Sequence, residues 1–238
     1  METWTTAYRF EWTPIIAFSA RRLELLQWLQ DNVEPVAFRD QDDSVGVAVE
    51  DLYLKVTATR DSLTLLNGRV PHLDLEATTH VVEGIFETLK PEGITLAYSS
   101  QAISGELPSA DYEAETARFS ARAAGTPDVS VVPYDAAILA DFSTPGFLVQ
   151  SEWGIVNGSE LAMRVEDPRV GRAGGSRALT SLDNEDRQSL PALSVFMDNF
   201  IRPSTKGEIN DVQSLFGTAR SADEASELVS STIMEGMR

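Results

Sequence analysis

The chain has no cysteine. That removes disulfide staples, thiolate zinc sites and cysteine nucleophiles together, since each needs the sulfur. Histidine is nearly as scarce: His72 and His80 are the two present. They belong to no His-Glu-x-x-His pattern, and no Gly-x-Ser-x-Gly elbow occurs, so the sequence assigns no metal, no cofactor and no catalytic residue. No apolar run approaches the roughly 18 residues of a membrane-spanning helix. The start METWTTAYRFEW lacks the basic-then-apolar order of a secretion signal. The expectation is a soluble cytoplasmic protein with no membrane association.

Basic residues are also in deficit. There are 19 of them, with three lysines (Lys55, Lys90, Lys206), against 37 acids, giving a net charge of −18 over 238 residues. The excess is spread: residues 1 to 119 carry 20 acids and 9 bases, the remainder 17 and 10. A field of that sign repels nucleic acid and anionic membrane, and either attracts basic partners or keeps the protein soluble. The same balance would follow from a salt-rich cytoplasm or a GC-rich genome. With 42% hydrophobic residues, the chain can bury a sizeable core.

Along the first half, TAYRFEWTP alternates as a strand with Tyr8, Phe10 and Trp12 on one face. Ser19 can cap a helix whose Leu23, Leu26, Leu29 and Val33, widened by Leu25 and Trp28, recur at helical spacing up to Pro35. Four strands follow, with Asp42-Asp43 and Arg60-Asp61 as hairpin tips, then a helix opened by Asp74 and closed before Pro91. The second half reads in the same order: a strand ITLAYSS and a helix ending at Gly125. Next come the strands DVSVVPY, AILADFS, GFLVQSEWGIV and SELAMRV, with Asn157-Gly158 as a hairpin signal, and finally a helix from about Pro191 through SVFMDNFIRP. On this reading GIFETLKPEG and SVFMDNFIRPSTKG are equivalent closing helices. A tail follows, with INDVQSLFG and a last helix from near Ala222, capped by Ser221 and Glu224 and burying Ala225, Leu228, Val229 and Ile233.

The expectation is therefore an α+β fold made by tandem duplication of a strand-helix-four-strand-helix unit. Its antiparallel sheet has helices on one face, and a C-terminal helical tail follows. Residues 1–93 form the first repeat, 94–203 the second and 204–238 the extension. This element order resembles the two-repeat architecture of TATA-box-binding-protein-like domains and, more loosely, the helix-grip folds. The first resemblance implies a DNA minor-groove surface carrying basic residues and inserted phenylalanines. The acidity of this chain speaks against that function, and the shape alone is carried over.

Several constellations invite chemistry. DQDDSVGVAVED places Asp40, Asp42, Ser44, Gly46 and Asp51 at calcium-loop positions, but Val45 replaces the turn glycine and the segment alternates like a hairpin. Glu83 and Glu87 share a helix face and read as a solvated surface. Arg164, Arg169, Arg172 and Arg177 fall in an insertion rich in glycine, where guanidinium groups can pair with nearby acids or grip an acidic or phosphorylated partner. Ile209, Val212, Leu215 and Phe216 form an apolar helical stripe suited to the protein's own core, to a dimer or to a partner groove. The leading expectation is a non-enzymatic protein-binding module of the inhibitor, immunity, antitoxin or scaffold kind, with homodimerisation open. One alternative is a ligand or enzyme cavity lined by Trp12, Trp28, Phe38 and Trp153; another is a nucleic-acid mimic.

Overall fold

The computed structural model describes residues 1–33, 37–49, 54–68, 75–124, 137–166 and 184–237. The chain opens with β1 (Glu2–Glu11), α1 (Phe18–Asn32) and the strands β2 (Ala37–Gln41), β3 (Ser44–Val49), β4 (Leu54–Thr59) and β5 (Ser62–Gly68). It continues with α2 (Leu75–Leu89), β6 (Thr95–Glu106), α3 (Tyr112–Ala124), β7 (Ala137–Thr144) and β8 (Phe147–Asn157). The last elements are α4 (Gly158–Glu166), α5 (Asn184–Ser189), β9 (Leu193–Pro203) and α6 (Val212–Met237). The architecture is α+β, and the described strands make one antiparallel sheet in the order β2-β3-β4-β5-β1-β6-β9-β8-β7.

The first half follows the expected order. Tyr8, Phe10 and Trp12 project into the core, as their alternation requires. Both hairpin tips turn where expected, Gln41 pairing with Ser44 and strand β5 starting at Ser62 after β4 ends at Thr59. Helix α1 buries Leu25 and Leu29 completely, each such side chain contributing roughly 1.5–3 kcal/mol. Leu23, expected in that stripe, is 60% exposed, and Ala17 rather than Ser19 occupies the cap position. Trp28 lies against the glycine of α2: a Cβ at Gly84 would meet ring carbons at 2.2–2.3 Å. This glycine lets the two helices approach closely, and Arg21 of α1 donates to the Leu89 carbonyl at the end of α2.

Three expectations in the second half are corrected. SELAMRV is helix α4, not a strand, because Asn157 caps it: its Oδ1 accepts the Glu160 N–H at 2.9 Å. Asparagine suits a helix start as well as a hairpin, and here Leu161, Ala162 and Val165 supply the apolar helical face that decides between them. SVFMDNFIRP is strand β9, not a helix. Val195, Met197 and Ile201 point to one core, Phe196 to another, so a strand buried on both faces gave an apolar run that a helical period also fits. The two stretches likened above are thus a helix end and a strand. Helix α6 runs unbroken for 26 residues from an Asp211 cap, whose Oδ1 accepts the Ser214 N–H at 2.6 Å, and Leu228 on it is 54% exposed.

Helices also occupy both faces of the sheet, not one. Helices α1, α2, α3 and α6 contribute to the main core, with Ile103, Val195 and Met197 of the sheet. Helix α4 packs on the reverse side against Trp4, Ala102, Val156 and Phe196. Trp4 reaches that side through a register shift between Thr3 and Thr5, where its indole N–H donates to Ser104 Oγ at 2.9 Å. The expected strand at 128–134 and the helix boundaries at Pro35, Asp74 and Gly125 lie outside the described residues.

The layer beneath α6 is polar. In register across five strands, Asn67, Thr6, Gln101, Asn199 and Ser151 form one row, each 2% exposed or less. Asp223, Ser226 and Ser230 of α6 cover it, buried to the same degree. Asp223 accepts from the Tyr8 hydroxyl (2.6 and 2.7 Å) and from Gln101 Nε2 (2.7 Å), while Asn199 Nδ2 donates to Ser226 and Ser230 (both 2.8 Å). Burial first, then the charge of Asp223 and its hydrogen bond, push the Tyr8 hydroxyl's pKa well above the usual tyrosine value.

Candidate binding cleft

A cleft of about 800 Å³ opens between α2 and the first turns of α6. The apolar spacing of INDVQSLFG builds one wall: Val212 and Phe216 line the cleft, while Leu215 turns fully into the core. Ile209 ties the approach to α6 onto the sheet, its N–H donating to the Ile94 carbonyl at 2.7 Å. Thr79 and Glu83 of α2 form the opposite wall. Of the four residues expected on a partner-binding stripe, Val212 and Phe216 therefore reach the cleft, and Ile209 and Leu215 are buried within the protein.

The cleft's charges are arranged around this apolar floor. Glu83 and Asp211 supply carboxylates and Arg220 a guanidinium. The hydrogen bond from the Ser214 N–H holds the Asp211 carboxyl below the usual aspartate value, so it is charged at neutral pH. Gly217 lies in the wall, and a Cβ built there meets nothing within 4 Å. The missing side chain leaves room in the cleft. What such a surface can do is hold an amphipathic segment, its apolar anchor over Phe216 and its cations toward Glu83 and Asp211. The periodicity of 209–216 was readable from sequence, but the partner wall was not, because Thr79 and Glu83 are brought to it by the fold alone.

The other expected sites distribute as follows. Arg164 lies on α4, paired with Glu160 at 3.1 Å and standing over the Phe196 ring at 5.6 Å. Arg169, Arg172, Arg177 and His72 lie outside the described residues. His80 sits beside Trp28, the two rings tilted at 51° with centroids 5.2 Å apart. Asp40 and Asp42 of the calcium-loop pattern face Arg22 at 3.3 and 3.5 Å at the β2–β3 hairpin. The aromatics suggested for a ligand cavity do not converge. Trp12 is buried and donates to the Arg60 carbonyl, Trp28 rests on Gly84, Phe38 is 45% exposed, and Trp153 pairs with Phe142. Sequence reasoning missed the Tyr98–Phe200 pair on the α4 side of the sheet (5.1 Å), over which Arg202 leans at 5.8 Å from Phe200. Among the described residues no helix is long and apolar enough to cross a membrane. Compared with known proteins, the chain matches no protein-family model and no curated protein.

Proposed function

We propose that the protein is a non-enzymatic, cytoplasmic binding module that takes a basic, amphipathic segment of a protein partner in the α2–α6 cleft. The observation that carries this reading is the cleft itself: an apolar floor at Val212 and Phe216, rimmed by the carboxylates of Glu83 and Asp211 with Arg220 beside them, on a chain of net charge −18. Largely pre-formed concave sites with an apolar floor and a few placed charges are the usual form of a binding site. The acidic field would speed the encounter and make it salt-sensitive. The arginine-bearing segment with Arg164, Arg169, Arg172 and Arg177 is the second proposed contact, for acidic groups of the partner.

The finer shape belongs to the same proposal. β1 is flanked by β5-β4-β3-β2 on one side, and β6 by β9-β8-β7 on the other, with β1 and β6 paired antiparallel between them. This order supports two like units, as in TATA-box-binding-protein-like or helix-grip folds. In that arrangement α6, rather than residues 194–203, is the counterpart of α2.

Gly217→Trp is the decisive variant. It fills the cleft where there is open space and replaces a helix-interior glycine, so stability should hold or rise slightly. Partner captured from the native cytoplasm should fall at least about tenfold relative to wild type, a difference of about 1.4 kcal/mol. Equal capture by wild type and by a folded Gly217→Trp variant would sink the proposal. A triple change of Arg169, Arg172 and Arg177 to Ala tests the second contact in the same assay.

A further inference from the structure

The row Thr6–Gln101–Asn199–Ser151 lies at the centre of the sheet face that α6 covers, on four adjacent strands. Several of its atoms have no hydrogen-bond partner within the protein: Thr6 Oγ1, Gln101 Oε1, Asn199 Oδ1 and Ser151 Oγ, joined by Ser99 Oγ one row away. All five residues are 1% exposed or less. Buried polar atoms in native proteins are paired, because leaving one bare forfeits its hydration with nothing in return. Concentration of five in one layer is a pattern, and a surface cleft lies beside it. A cleft of about 350 Å³ is lined by Met1, Thr3, Ile103, Glu227, Ser230 and Ser231. Thr3 and Ile103 are register partners just beyond Thr6 and Gln101, and Ser230 lines this cleft while bonding Asn199 at 2.8 Å.

We propose that the layer between α6 and the sheet is a binding site for uncharged hydroxyl groups, admitted through the Met1–Ser230 cleft. The chemistry follows from the atoms left over. Gln101 Oε1 and Asn199 Oδ1 accept only, so the ligand must donate; Thr6, Ser99 and Ser151 can donate or accept, so it must be able to do both. A hydroxyl does both without bringing a charge into a buried layer. Water and a small polyol share this group. The proposal is independent of the α2–α6 cleft, so blocking that cleft with Gly217→Trp leaves it untouched.

Thr6→Val and Ser151→Ala test it by sign, since each deletes an orphaned hydroxyl and no hydrogen bond within the protein. If hydroxyl ligands occupy the layer, each variant loses a bond and its melting temperature falls by a few degrees. A melting temperature unchanged or raised in both would overturn the proposal, because a dry layer is relieved by losing an unsatisfied group. Side-chain amide signals of Gln101 and Asn199 identify the source. Magnetisation transfer from long-lived water points to water, and a saturable shift on titration with glycerol points to a polyol. Neither signal in folded wild-type protein would equally overturn it.

Discussion

Gly84 shows how one missing side chain sets a helix pair. Because ring carbons of Trp28 stand 2.2–2.3 Å from where its Cβ would be, Gly84→Ala cannot be accommodated without moving the indole. Overpacking of this kind costs roughly 1–3 kcal/mol, more than the roughly 1 kcal/mol that alanine gains over glycine in a helix. Urea unfolding should show a lower midpoint for Gly84→Ala, and in a Trp28→Ala background the same change should raise it. Tyr8 gives a pH signature. Its folded pKa is raised, so its contribution is complete below the unfolded value of about 10 and is lost as pH rises from there through the folded value. Between about pH 8 and about pH 11, wild type should therefore lose more stability than Tyr8→Phe; equal losses would show that the fold does not raise the hydroxyl's pKa. Tyr8 was readable as a core residue from its alternation. Its carboxylate partner, 215 positions away, was not.

At the scale of elements, α4 turns on Asn157. Removing its cap should destabilise the protein by about 1 kcal/mol in Asn157→Ala and far less in Asn157→Asp, which can still accept the Glu160 N–H. If both variants unfold at the same urea midpoint as wild type, Asn157 is not the cap that fixes α4. The same residue explains why α4 was hidden in the sequence: Asn-Gly after an alternating run is a hairpin signal, and a helix of nine residues offers few turns of periodicity to oppose it. β9 was hidden for a different reason. Its two faces meet two cores, so Val195, Phe196 and Met197 are all buried in succession, and the two-residue period vanishes. Elements with one wet face, such as β4 with its strictly alternating burial, were legible. In α6, Asp211 starts the helix ahead of the Ser221–Glu224 pair, and packing on the sheet carries it through Gly217.

For the whole molecule, composition and hydrophobic pattern foretold the α+β class, but sheet order and layers are products of long-range pairing. Nothing local in METWTT announces the register shift that sends Trp4 to the α4 side of the sheet. The candidate cleft divides in the same way: its α6 wall was visible as a stripe, while the wall from α2 depended on tertiary placement. Charge was legible in amount but not in location. The carboxylates that matter for the proposed contact, Glu83 and Asp211, sit far apart in sequence and converge on one opening.

β1 lies inside the sheet, with β5 on one side and β6 on the other. A ribosome therefore delivers β1 well ahead of its second neighbour β6, which starts only at Thr95, a delay on the order of ten seconds at ordinary synthesis rates. During that interval the long strand holding Tyr8 and Phe10 presents a bare hydrogen-bonding edge, the template from which chains cross-pair and aggregate. Glu2, Arg9 and Glu11 on that strand place charge along the waiting edge. The β1–β6 pairing that joins the two halves of the finished sheet is thus missing while β1 waits.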